Sequence, residues 1–165
     1  MKSVFTSILA LFAFAAIAQD LPQPSPAASV SQTIGLTEVE VVYSRPGAKG
    51  RTIFGDLVPY GEVWRTGANK ATAITFSNDV TIDDKKVKAG TYSVFTKPGK
   101  KEWTVMFNSE TELWGAGNYS SDNDVAVVKV KAAKMADEEE SFTIGFTNIS
   151  DEGADMYMRW ENNLS

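Results

Sequence analysis

The chain has 165 residues, a formal net charge of −5, and neither histidine nor cysteine. Lacking both residue types, it has no Ser-His-Asp or Cys-His nucleophilic machinery, no disulfide and none of the usual zinc or copper ligands. Its acidic balance offers nothing to a phosphate backbone, which removes nucleic acids as partners.

The N-terminus reads first as a targeting segment. Lys2 is a short positive region, Val4 to Ile17 is apolar except for Thr6 and Ser7, and Ala16-Ile17-Ala18 matches a cleavage site. The pattern predicts a signal peptide over residues 1–18, cleaved near Ala18, with export to the periplasm or beyond. The apolar run, about 14 residues, falls short of the roughly 20 that a spanning helix needs. No later segment is long and apolar enough either, so the mature form is expected to carry no membrane span. Residues 19–30 hold Pro22, Pro24 and Pro26 at alternate positions and read as an extended, proline-rich linker. Residues 31–165 are sized for a single domain.

From Thr37 onward, strand patterns dominate. In TEVEVVY, Val39, Val41 and Tyr43 alternate with glutamates. In TAITFS, Thr72, Ile74 and Phe76 share a face. In TYSVFTK, Tyr92 and Val94 face one way and Phe95 the other. Pro98-Gly99-Lys100 then turns the chain into EWTVMFN, where Trp103, Val105 and Phe107 alternate with Thr104 and Met106. DVAVVKV follows the polar loop Asn118 to Asp124. Lys134 to Glu140, KMADEEE, reads as a charged connection of about one helical turn, its acids a solvated surface. SFTIGFTNI and ADMYMRW complete the set as a final hairpin. About eight strands without a helical stripe predict an all-β, antiparallel sandwich or jelly-roll-like domain.

Residues 45–70 break this pattern. They hold three of the four arginines, with five basic side chains against two acidic ones in an otherwise acidic chain. Gly50, Gly55, Gly61 and Gly67 allow tight turns, and Pro46 and Pro59 restrain φ. Arginine suits planar contact with carboxylates and phosphates and stacks on aromatic rings. The segment is expected to be a long, ordered loop with two open readings. In one, Arg45, Arg51, Tyr60, Trp64, Arg65 and Asn69 present a binding surface, with Trp114 of LWGAGNYSSDND as a far wall. In the other, the arginines pair with the chain's own acids and the aromatics close the core. Asp122, Asn123 and Asp124 offer oxygens but lack the spacing of a calcium loop, so no metal or other cofactor is expected.

The blocks YSRP (43–46), GR (50–51), FG (54–55), VPYG (58–61) and WRTGAN (64–69) occur in one order. With these blocks, nearly the whole mature chain resembles the exported bacterial family called domain of unknown function 2911. The resemblance implies an exported bacterial protein and supplies no catalytic residues. The favoured function is a non-catalytic binding module for a small anionic, glycan or peptide ligand, held by the arginine- and tryptophan-rich loop. One alternative is a hydrolase acting on glycans, with Asp56 and Glu62 as the carboxylates to test. Another is a structural or assembly partner in the cell envelope.

Overall fold

The computed structural model describes residues 21–165; the expected signal peptide, 1–18, lies outside the described residues. The described residues are all-β and antiparallel, with ten strands where the patterning suggests about eight. They are β1 (Ala27–Ile34), β2 (Thr37–Ser44), β3 (Thr72–Phe76), β4 (Val80–Ile82), β5 (Lys85–Val87), β6 (Gly90–Lys97), β7 (Glu102–Asn108), β8 (Asp124–Lys131), β9 (Ala133–Thr147) and β10 (Asp155–Leu164). A six-stranded sheet runs β1-β2-β3-β6-β7-β8, and β9–β10 and β4–β5 form two hairpins of their own. Among the described residues, no sheet closes into a barrel.

Two departures from the sequence patterning have local causes. β1 begins at Ala27, inside the stretch that reads as a linker. Its AASVSQTI has few large apolar residues and is nowhere more than half-buried, so its strand character comes from its full-length pairing with β2. KMADEEE is not a helical turn: it is the first half of β9. β10 pairs with it, Glu161 opposite Glu139 and Asn163 opposite Lys134, and the register shift between these pairs absorbs the surplus residues. A backbone that finds partners on a neighbouring strand does not need helical hydrogen bonds.

Side-chain alternation divides the large sheet into two faces. Val41, Ile74, Val94, Val105 and Val128 point into the main core, which the β9–β10 hairpin covers with Phe142, Ile144, Met158 and Trp160. The layers are therefore arranged as a sandwich. Phe95 and Met106 point the other way, beneath Val63, Leu113 and Tyr119. Val87 brings the small β4–β5 hairpin onto the main core at its far end.

Candidate functional site

The irregular segment after β2 is a crossover between layers. β9 has β10 on one side; its other edge meets residues 43–48. The Tyr43 hydroxyl accepts the Ile144 N–H at 3.1 Å. The Phe142 N–H donates to the Pro46 carbonyl at 2.9 Å, and the Ala48 N–H donates to the Glu140 carbonyl at 2.7 Å. The chain thus leaves the six-stranded sheet at β2 and passes directly onto the edge of the β9–β10 sheet. Further on, Trp64 exchanges backbone hydrogen bonds with Thr96 at 2.7 and 2.9 Å, filling the place beside β6 that β3 is too short to reach.

Two of the three arginines serve this crossover, and Arg51 alone lines either of the two clefts described here. Arg45 donates from Nε to the Phe142 carbonyl at 3.0 Å and from Nη2 to Thr143 Oγ1 at 2.6 Å. Arg51 curls back onto its own loop, donating to the carbonyls of Ala48 (3.0 Å) and Gly47 (2.7 Å). Arg65 is half-buried, and its Nε has no hydrogen-bond partner among the described residues. None of the three joins the ion pairs found among those residues, all of which use lysine. The partners are carbonyl and hydroxyl oxygens, where the sequence suggests ligand anions or carboxylates.

Glu140 of the acid run and Glu161 of β10 answer the loop by accepting from its backbone N–H groups. Glu140 Oε1 accepts from Lys49 N at 2.9 Å and Glu161 Oε1 from Ile53 N at 3.1 Å. Glu140 is therefore a docking residue, where the sequence suggests only solvated charge. A cleft of about 450 Å³ between the two segments is lined by Arg51, Glu138, Glu139, Glu140 and Glu161. Four carboxylates beside one guanidinium make it a poor home for an anion.

The aromatic residues divide. Trp64 sits in the core, stacked on Trp160 at 5.8 Å and packed edge-on against Phe54 and Phe142. Its Nε1 donates to the Gly67 carbonyl at 3.0 Å. Tyr60 lies across Gly55, where any Cβ would strike its ring, with the Lys100 ammonium 5.8 Å from the ring centroid. Asn69 reaches Ser44 Oγ at 3.3 Å, and its carbonyl accepts the Gly115 N–H at 3.3 Å. That contact brings Asn69 beside Trp114, whose side chain stands 75% exposed. The loop bearing Trp114 is anchored by fully buried Asn108, which donates to Ser120 O and Asp124 Oδ1 and accepts from Glu110 N. Asp124 also accepts the Tyr119 hydroxyl at 2.5 Å. Burial, then this bond, pushes the Tyr119 pKa far above the ordinary tyrosine value. Asp56 and Glu62 stand exposed on the outer loop and line neither cleft described here.

The larger concavity lies at the end of the sandwich that carries the β1–β2 and β9–β10 turns. There the layers part around a cleft of about 820 Å³. Its depth is Ile74, Phe76, Val105 and Phe107 of the large sheet, and its opposite wall is Phe146, Met156 and Met158 of the hairpin. Val80 and Ile82 form one side. Leu36, at the β1–β2 turn, stands almost wholly exposed at the mouth. Gly35 lies so close to the Asp151 carbonyl that a Cβ would collide with it, which joins the β1–β2 and β9–β10 turns at the rim. Apart from Val80 and Ile82 of the short β4, these wall residues belong to strands readable in the sequence or to their turns. What the sequence hides is that the two layers part at this end.

A family model covers residues 25–164, all ten strands, under the description "Protein of unknown function (DUF2911)". The chain belongs to this family. No curated protein and no solved structure matches it. In this DUF2911 protein the blocks that carry the resemblance have structural roles. YSRP makes the crossover from β2 to the β9 edge, GR closes Arg51 onto the loop, and WRTGAN seats the core tryptophan and turns the chain into β3. Among the described residues, no helix is long and apolar enough to cross a membrane.

Proposed function

We propose that the protein is a binding module whose site is the apolar cleft between the layers, taking a small ligand with an apolar body. The observation that carries this reading is the convergence of half-buried Ile34, Val80, Ile82, Phe146 and Met156 around one concavity. Apolar side chains scattered singly over a surface need no explanation, whereas a contiguous apolar hollow marks a site. The volume falls within the range of ordinary small-molecule pockets, roughly 300–1,000 Å³. Met156 and Met158 add a soft, adaptable wall. The sequence places the ligand at the arginine loop; the engagement of Arg45 and Arg51 with carbonyl oxygens argues for the opposite end.

Nile red, a neutral apolar dye whose emission rises in apolar surroundings, tests the reading. Its emission should saturate with added protein. Met156→Glu or Ile82→Glu should weaken binding by about tenfold, the loss of roughly one apolar side-chain contact, with melting temperature and circular dichroism retained. Equal binding by both variants would place the dye elsewhere and defeat the proposal.

Trp114 supports a second reading. An exposed indole beside Asn69 and the Lys70–Glu112 ion pair (2.9 Å) is suited to stacking on a sugar ring. Retention of any glycan by the wild type and its loss in Trp114→Ala would favour that face.

A further inference from the structure

The chemistry of the cleft's rim narrows its ligand, and the step rests on the binding reading above. The walls are apolar, but the mouth carries Asp79, Asp83, Asp151, Glu152 and Asp155 against one cation, Lys129. Three of these charges have partners. Asp79 binds Lys88 at 2.7 Å, Asp155 accepts the Asn148 amide at 2.7 Å, and Lys129 pairs with Glu102 at 3.1 Å. Asp83, Asp151 and Glu152 take part in no ion pair found among the described residues. They come from two walls: Asp83 from the β4–β5 turn, Asp151 and Glu152 from the β9–β10 turn.

We infer that the cleft takes a single-chain amphiphile with a cationic, ammonium-type head. Its tail lies between Phe76 and Phe107 on one layer and Phe146 and Met156 on the other. Its head stays at the mouth, among Asp83, Asp151 and Glu152. Charge complementarity selects this occupant. An anionic head would meet three carboxylates where the lining cation, Lys129, is already paired with Glu102, and a wholly apolar molecule would leave the rim unused. Exposed carboxylates each contribute modestly and are screened by salt, so selectivity should be a low-salt property.

The experiment compares three probes below their micelle concentrations by calorimetric titration of the full chain. They are decyltrimethylammonium, decyl sulfate and octyl glucoside. In low salt the ammonium probe should bind roughly tenfold more tightly than the sulfate, the combined effect of a few exposed charges. Molar salt should erase most of the difference. The triple variant Asp83→Asn, Asp151→Asn, Glu152→Gln should lose the preference and keep its affinity for octyl glucoside. Equal affinity for all three heads, or tighter binding of decyl sulfate, would overturn the cationic head while leaving the cleft as a binding site. A preference that survives in the triple variant would overturn it too. Saturable binding of none of the probes would instead remove the reading on which it rests.

Discussion

Removing the Tyr43 hydroxyl tests how the two layers are joined. Tyr43 is 6% exposed, and its ring packs edge-on against Phe142 at 5.9 Å. Its hydroxyl accepts the Ile144 N–H at 3.1 Å and faces the Ile144 carbonyl at 3.4 Å. Tyr43→Phe removes one oxygen and no apolar volume, so no cavity contributes to the loss. It leaves a buried backbone N–H without a partner, which costs about 1–3 kcal/mol. With a urea slope of about 2 kcal/mol/M, a loss near 2 kcal/mol lowers the unfolding midpoint by about 1 M. Equilibrium urea denaturation followed by tryptophan fluorescence reads this directly, because Trp64, Trp103 and Trp160 all lie in the same core. Tyr92→Phe is the control. Its hydroxyl donates to the Lys88 carbonyl at an exposed site, and its loss should cost under about 0.5 kcal/mol. Equal midpoints for Tyr43→Phe and wild type would refute the crossover as the bond between β9 and the large sheet.

Further expectations concern the loops. Arg45→Met should destabilise by about 1–3 kcal/mol through its lost charge-assisted bonds. Because the partners are a carbonyl and a hydroxyl, the difference from wild type should change little between low and molar salt; strong attenuation by salt would reveal a carboxylate partner. Gly35→Ala, at φ +57° against the Asp151 carbonyl, should lower stability by at least about 1 kcal/mol and loosen the rim of the cleft. A neutral effect on urea stability would show that the two turns do not meet. For Tyr119 the pH dependence has a definite sign. Its folded pKa is raised from 10.0, so the unfolded chain ionises first and the stabilisation is fully present below about pH 10. Above that pH the wild type should lose its advantage over Tyr119→Phe, measured as urea stability at stepped pH; a constant gap would contradict the Tyr119–Asp124 bond.

The strands were legible wherever one face is apolar. β2 and β3 show clean alternation, β6 and β7 carry apolar residues on both faces, and Pro98-Gly99-Lys100 marks the β6–β7 hairpin. β1 was obscured because its residues are small or polar and its pairing, not its pattern, makes it a strand. The acidic half of β9 was obscured for the converse reason: its charges suggest solvent, while its backbone and Glu140 carry the docking. The arginine loop stood out correctly as an ordered feature. Its role was not legible, since composition cannot tell a guanidinium aimed at a ligand from one aimed at the Phe142 carbonyl. The cleft left the weakest trace. Phe76, Phe107, Phe146 and Met156 read as ordinary core, and only the separation of the layers leaves Phe146 and Met156 half-exposed.

The most direct test of the binding site is an amide NMR titration with octyl glucoside below its micelle concentration. Saturable shifts are predicted at Ile34, Val80, Ile82, Phe146 and Met156, with Trp64, Phe142 and Trp114 unmoved. Shifts centred on Asn69 and Trp114, or no saturable shift anywhere, would contradict a ligand site between the layers.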